Sequence, residues 1–282
     1  MILDNILEHK RREVEALKTK LPLRRMEEKA RSVQGPKRSL ARALSGAGRV
    51  HLICELKKQS PSAGLLREHF IPTKLAKQFE SSGASALSVL TETKYFKGHP
   101  ETLRQIRPAT TIPILRKDFL VERYQVYETA WREADAYLLI AMILSDKTLK
   151  VLLRLGNDLG LEALVEVHTE RELDRALRAG ANLVGINSRN LKTLGIDDSV
   201  PERLFPKIPK EITTVIESGI QSSHDIQRYQ EMGANCFLIG TALMKCDNIE
   251  KKMAELKGES IGSRNARPLP SWKGGSKRDG KS

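Results

Sequence analysis

The residues best suited to chemistry stand where short apolar runs of this 282-residue sequence break off into polar side chains. These endings are Glu55-Leu56-Lys57, Arg116-Lys117-Asp118-Phe119, Glu166, Asn187-Ser188-Arg189, Glu217-Ser218-Gly219 and Leu238-Ile239-Gly240-Thr241. Carboxylates and lysines gathered on one rim can pass protons to and from a small molecule. Glu55 and Lys57 have the spacing that puts both on one face of a strand. Any one of these groups alone reads as a solvated strand end or an ordinary ion pair. All of them on the same rim of a barrel read as a site.

Ser218-Gly219-Ile220 and Gly240-Thr241-Ala242 each set a glycine beside a hydroxyl residue, ahead of a helical stretch. Glycine lets backbone N–H groups come close to an anion, and a helix start adds partial positive charge. The pair predicts a phosphorylated ligand and leaves the reaction open. Other chemistries lack their residues. His9, His51, His69, His99, His168 and His224 form no i, i+4 pair and have no cysteine at ligand spacing, so no metal site is expected. Neither G-x-x-x-x-G-K-[ST] nor G-x-G-x-x-G occurs. Ser60 and Ser218 have no evident histidine base, which argues against a serine nucleophile.

The elements that must carry these groups alternate. Apolar runs lie at 50–56, 85–90, 112–115, 135–140, 162–167, 182–187, 212–216 and 235–239. They are apolar on both parities, as parallel strands buried on both faces are. Helical patterns follow, most clearly at 73–82, 121–133, 169–179 and 221–232. The expected class is α/β, a closed (β/α)8 barrel with extra N-terminal helices; an open doubly wound sheet is the alternative. Such a barrel keeps its active site at the C-terminal strand ends and its phosphate site after the last two strands. Ser82-Gly83-Ala84, Glu133-Ala134-Asp135, Ala179-Gly180-Ala181 and Met232-Gly233-Ala234 recur before apolar runs and read as helix stops.

Residues 1–49 precede the barrel at 50–257. Leu3, Ile6, Leu7, Val14 and Leu17 fall at helical spacing, and Leu40 and Leu44 suggest a second short helix. These helices are expected to cap the barrel or cover its mouth. Residues 258–282 hold little to bury and read as a basic, disordered tail. The net charge of +13 is concentrated at the ends: 13 basic and 6 acidic residues in 1–49, 7 and 3 in 255–282, and 28 and 26 between. The body is nearly neutral and the ends carry Trp272 as their one aromatic, which argues against nucleic acid. Cys54, Cys236 and Cys246 form no C-x-x-C and read as reduced thiols. No apolar stretch is long enough to span a membrane, and the first residues lack a signal-peptide layout, so the expected location is the cytoplasm. Monomer and homodimer both remain open.

The motifs carry a resemblance. Cys54-Glu55-Leu56-Lys57-Lys58-Gln59-Ser60-Pro61-Ser62, Val89-Leu90-Thr91-Glu92 with Tyr95-Phe96-Lys97-Gly98, and Ile114-Leu115-Arg116-Lys117-Asp118-Phe119 come first. Leu164-Val165-Glu166, Gly185-Ile186-Asn187-Ser188-Arg189-Asn190-Leu191, Glu217-Ser218-Gly219-Ile220 and Leu238-Ile239-Gly240 follow in order. Together they resemble the indole-3-glycerol-phosphate synthase family of tryptophan biosynthesis, over about residues 1–255.

The resemblance implies a lyase that closes a ring and releases carbon dioxide and water, with no cofactor and no metal. It implies Lys117 as general acid, its proton affinity lowered by burial and by Arg116 and Lys57. It implies Glu166 as acid/base, Glu55 sharing that work, Lys57 meeting the substrate carboxylate, and Asn187 and Arg189 on the reacting centre. Ser60, Ser218, Gly219, Gly240 and Thr241 would surround the phosphate. Pro61, Phe96, Phe119 and Leu138 would hold the aromatic ring, with Glu217 and Leu238 also touching substrate. By residue type alone Phe119 and Leu138 are core packing, and only the resemblance moves them to the site. The rivals are another phosphate-binding barrel of the same pathway, opposed by the lysines at 57 and 117 with Glu55, and a binding scaffold that uses the basic ends.

Overall fold

The computed structural model describes residues 2–46 and 48–259. The apolar runs become strands β1 (His51–Leu56), β2 (Ala86–Leu90), β3 (Ile114–Lys117), β4 (Ala136–Ile140), β5 (Glu162–Val167), β6 (Leu183–Asn187), β7 (Thr213–Glu217) and β8 (Cys236–Ile239). Each pairs in parallel with the next, and β8 closes on β1 through Leu52 opposite Phe237. The sheet is therefore a closed barrel, and the open-sheet alternative is set aside.

Alternation along each strand separates two apolar layers. Ile53, Ala86, Leu115, Leu138, Leu164, Leu183, Val215 and Leu238 point inward and fill the barrel. Cys54, Leu87, Leu139, Val165, Ile186 and Phe237 point outward against the helices. Both faces are buried, which is why the runs read apolar on both parities. One run is displaced: expected at 112–115, the strand lies at Ile114–Lys117. Pro113 has no N–H to give a ladder. Arg116 and Lys117 stay in the strand because each finds buried partners, one on either face.

The helix stops are built alike. The amides of Ala84, Ala134, Ala181 and Ala234 each reach back to a carbonyl in the last turn of the preceding helix, on Phe79, Thr129, Ala176 and Tyr229. The residue before each alanine has positive φ: Gly83, Gly180 and Gly233, with Glu133 adopting it at φ 62°. A left-handed residue at this point is what turns the chain sharply out of a helix.

Three helices precede β1: α1 (Ile2–Lys20), α2 (Leu23–Arg31) and α3 (Leu40–Ala43). The helix α2 was not legible in the sequence, because it buries only Met26 and Ala30 among charged residues. Below the barrel, Leu40 and Leu44 enter the inner cluster. There Ser39 Oγ and the Ala41 amide donate to the Glu162 carboxylate, at the first residue of β5, at 2.7 and 2.9 Å. At the opposite end Leu3 and Ile6 of α1 join the same cluster. The extension thus both caps the base and covers the mouth.

Around the barrel run α4 (Pro72–Ser81), α5 (Glu101–Ile106), α6 (Arg123–Trp131), α7 (Asp146–Asp158), α8 (Glu170–Ala179), α9 (Ser199–Leu204), α10 (Ser223–Glu231), α11 (Thr241–Lys245) and α12 (Ile249–Leu256). No helix among the described residues is long and apolar enough to cross a membrane. The basic tail, from residue 260 on, lies outside the described residues.

Candidate active site

Lys117 shares the inward parity of Leu115, so β3 delivers its ammonium into the mouth of the barrel. Nζ lies 2.6 Å from Glu217 Oε2 on β7 and 3.3 Å from Glu166 Oε2 on β5. Beside it, Lys57 Nζ meets Glu55 Oε2 at 2.5 Å, as their shared face on β1 requires. Two glycines make room for this cluster. A Cβ on Gly240 would collide with the Glu55 carboxylate and crowd Lys57, and a Cβ on Gly185 would collide with Glu217 Oε1.

The electrostatics differ from the sequence expectation. Arg116 faces away from the cavity and is buried against α6. It donates to Glu128 at 2.8 Å, Asp118 at 3.2 Å and Thr91 at 3.1 Å. It therefore does not lower the proton affinity of Lys117. Burial does push Lys117 down, but Glu217, Glu166 and Glu55 outweigh it, and the group is raised above its ordinary value. Lys117 is a firmly held ammonium. For Glu166, burial acts upward, yet Lys117 and His168 together hold it below its ordinary value. Glu217 has the same lysine but faces Glu166 and Glu55 as well. Burial dominates there, and Glu217 is pushed up to about 7.

These groups line a cavity of about 620 Å³ that takes in every residue the sequence assigned to catalysis or substrate binding. Asn187 and Arg189 stand at the end of β6. The Asn187 side-chain Oδ1 accepts the Arg189 backbone amide at 2.9 Å, and the Arg189 guanidinium donates to Leu194 O at 2.7 Å. Past β7, Ser218 and Gly219 are both left-handed, with φ of 68° and 78°. A non-glycine residue there is uncommon. The start of α10 differs from expectation: Asp225 accepts the amides of Gln221 and Ser222, so these are spent within the protein. Across β8, Gly240 leads directly into α11 at Thr241. Ser60, in the short antiparallel piece Gln59–Ser60 with Gly64–Leu65 after β1, also lines the cavity.

The apolar lining includes Phe96 and Phe119, tilted with ring centroids 6.3 Å apart, and Pro61, Leu138 and Leu238. Phe96 is held in place by Glu92, whose buried carboxylate accepts the amides of Lys94, Tyr95 and Phe96 at 3.1, 2.6 and 2.9 Å. Sequence reasoning missed Leu3 and Ile6 of α1 and Leu191 after β6, which pack with these residues, and Leu194 and Ile196 from the same loop, which also line the cavity, Ile196 beside Gly219. The helical spacing of Leu3 and Ile6 showed a buried face without showing what it faced. Among the described residues, no group of three or more His, Cys, Asp or Glu has the arrangement of a metal site.

The family model of indole-3-glycerol phosphate synthase matches residues 3–256. The chain belongs to the indole-3-glycerol phosphate synthase family. A family member from Dehalococcoides mccartyi strain CBDB1 is 44% identical over 259 residues, covering 91% of this chain and all of that one. The indole-3-glycerol phosphate synthase of Acetivibrio thermocellus is 44% identical over 215 residues, 76% of this chain and 83% of its own. Solved structures are similar in fold alone. KGPDC from Streptococcus mutans has a TM-score of 0.58 at 14% identity, covering 74% of this chain and 96% of that one. The N-acetylmannosamine-6-phosphate 2-epimerase of Clostridium perfringens has a TM-score of 0.57 at 18% identity, covering 79% of this chain and 98% of that one.

Proposed function

We propose that this protein converts 1-(2-carboxyphenylamino)-1-deoxyribulose 5-phosphate to indole-3-glycerol phosphate, with release of carbon dioxide and water. It acts in the cytoplasm on this free small molecule, with no cofactor and no nucleic acid. The observation that carries the reading is Lys117 held between Glu217 and Glu166, in a cavity that is also lined by an aromatic pair and by the Ser218-Gly219 turn. Membership of the family supplies the reaction.

In this reading the phosphate sits among Ser60, Ser218, Gly219, Gly240 and Thr241. The anthranilate ring lies against Pro61, Phe96, Phe119, Leu138 and Leu238, and its carboxylate meets Lys57. Ring closure makes the ring carbon attack the ribulose carbonyl. Lys117 faces that oxygen as an ammonium, so it offers positive charge where negative charge develops and then a proton. Glu217, which exchanges a proton near neutral pH, restores it to Lys117. Loss of carbon dioxide leaves an electron pair in the new ring. Glu166, a carboxylate at the outset, takes the proton whose removal completes the indole and returns it to the departing hydroxyl. Glu55 fixes Lys57, and Asn187 and Arg189 bond the hydroxyls of the intermediates.

The test mixes purified protein with this substrate and follows indole absorbance and fluorescence, with Lys117→Ala alongside. Wild type forms the product, and the variant loses at least about a hundredfold in rate, as expected for a general acid. A folded wild-type protein that forms no indole overturns the reading.

A further inference from the structure

Behind Glu166, and outside the cavity lining, lies a buried histidine that the proposed reaction leaves unused. His168 follows β5 and is 7% exposed. Its Nδ1 is 3.2 Å from Glu172 Oε2, and the same oxygen accepts the His168 backbone amide at 2.8 Å. Glu172 lies in the first turn of α8, where its own amide is capped by Thr169 Oγ1 at 3.2 Å. A carboxylate only accepts, so this contact fixes the hydrogen on Nδ1. The other ring nitrogen, Nε2, then points at Glu166 Oε1, 3.5 Å away. Both of these atoms are buried and neither has another hydrogen-bond partner.

Two lone pairs facing each other in a dry interior repel, so the Nε2 and Oε1 atoms must hold one proton between them. With that proton on the ring, an imidazolium faces a carboxylate. With it on Glu166, a neutral acid faces a neutral ring. The groups that act on His168 favour the first form. Burial works against the charged ring, but Glu172, Glu166 and, from β7, Glu217 outweigh it and raise the histidine above its ordinary value. Lys117, the nearest cation, is on the far side of Glu166, at its Oε2.

We propose that His168, held by Glu172, is a positioning residue that supplies the countercharge of Glu166 and fixes Oε1 inward, so that Oε2 is the oxygen presented to Lys117 and the cavity. The inference rests on the reading of Glu166 as a proton-transfer group. It explains how a carboxylate can stay ionised with two more carboxylates, Glu217 and Glu55, around the same lysine. The arrangement parallels the carboxylate–histidine pairs that orient reacting groups elsewhere, in which the outer acid sets the tautomer and does not itself react.

The experiment is the pH dependence of the rate in wild type, His168→Gln, Glu172→Gln and Glu166→Gln, with nitrogen-15 NMR of the histidine rings in the wild type. In the wild type the rate falls on the basic side as His168 loses its proton, while Nδ1 stays protonated and Nε2 titrates with the same midpoint. Glu172→Gln moves that fall to lower pH. His168→Gln removes the part of the fall that follows the ring, leaving only the part set by Glu217, and lowers kcat about tenfold or more, with KM within about twofold, the signature of a misplaced reacting group. Glu166→Gln that keeps the wild-type rate overturns the reading of Glu166 itself. An inactive Glu166→Gln beside unshifted profiles, or a neutral His168 carrying its hydrogen on Nε2, overturns this inference alone. Should His168→Gln fail to fold, the Glu172→Gln profile and the ring spectrum decide it.

Discussion

The carboxylate of Glu217 occupies the space that a Cβ on Gly185 would need. The two residues lie on adjacent strands, and the missing side chain on β6 is what lets the β7 carboxylate reach across to Lys117. Gly185→Ala is therefore expected to displace Glu217 and break its 2.6 Å contact with Lys117. The overpacking costs about 1–3 kcal/mol in stability. The rate should fall about a hundredfold, as a displacement on the order of 1 Å does at a reacting centre. Steady-state kinetics and urea melts on one preparation check both. An alanine variant with wild-type kcat would show that Glu217 has no part in the chemistry.

Glu217 also links pH to stability. Burial and the neighbouring carboxylates raise its folded-state value from 4.5 to about 7. A group raised on folding contributes stability that is complete below its unfolded value and is lost as pH rises through the folded one. The window here runs from about 4.5 to about 7. Glu217→Gln cannot ionise, so urea melts should find it gaining on the wild type as pH rises across that window. Its rate should nevertheless fall about a hundredfold or more if Glu217 recharges Lys117. A stability difference that stays constant with pH would count against the raised value.

A second charged cluster is structural. Lys10 of α1 is buried and reaches Asp118 at 2.9 Å, next to Arg116. Burial alone would raise Asp118, but Lys10 and Arg116 hold it down at about 2. A group depressed on folding gives stability present above its unfolded value and lost as pH falls through the folded one. Acid should therefore begin to undo this cluster between about 4 and about 2. Lys10→Met leaves buried carboxylate with one partner fewer and is expected to cost about 3 kcal/mol at neutral pH. Urea midpoints at pH 7 and pH 3 measure both effects, and the penalty should shrink at the lower pH.

Gly219, at φ 78°, turns the backbone at the proposed phosphate end. Its Cβ would also stand 3.0 Å from Asp198 Oδ1. Gly219→Ala carries about 1 kcal/mol of backbone strain. It should raise KM about tenfold and weaken inhibition by inorganic phosphate to the same degree, with kcat little changed. An unchanged phosphate inhibition constant would place the anion elsewhere.

Much of the frame could be read from local pattern. Strands buried on both faces leave apolar runs, and seven of the eight runs lie within one residue of the strand they foretold. The exception, β3, ends in Arg116 and Lys117, charged residues that a search for apolar runs excludes. Their opposite parity also separates their fates, one into the helix layer and one into the mouth. The sequence did not reveal that the first meets Glu128 and the second Glu217, because Lys117 and Glu217 lie 100 residues apart. The helix α2 escaped notice because two small contacts, Met26 and Ala30, leave almost no periodic signal. The carboxylates around Lys117 likewise converge only when the barrel closes, which is why neighbouring cations were expected in their place.

The extension that seals both ends of the barrel sets an order of events during synthesis. The buried lysine of α1 is partnered by Asp118, and Leu44 beneath the barrel accepts a contact from Cys236. The second of these places does not exist until most of the chain has been made. Leu40 and Leu44 at the base must therefore wait for β8 before their surroundings are complete. Contacts so distant in sequence slow folding. Folding of the extension is thus tied to closure of the barrel rather than to its own helices.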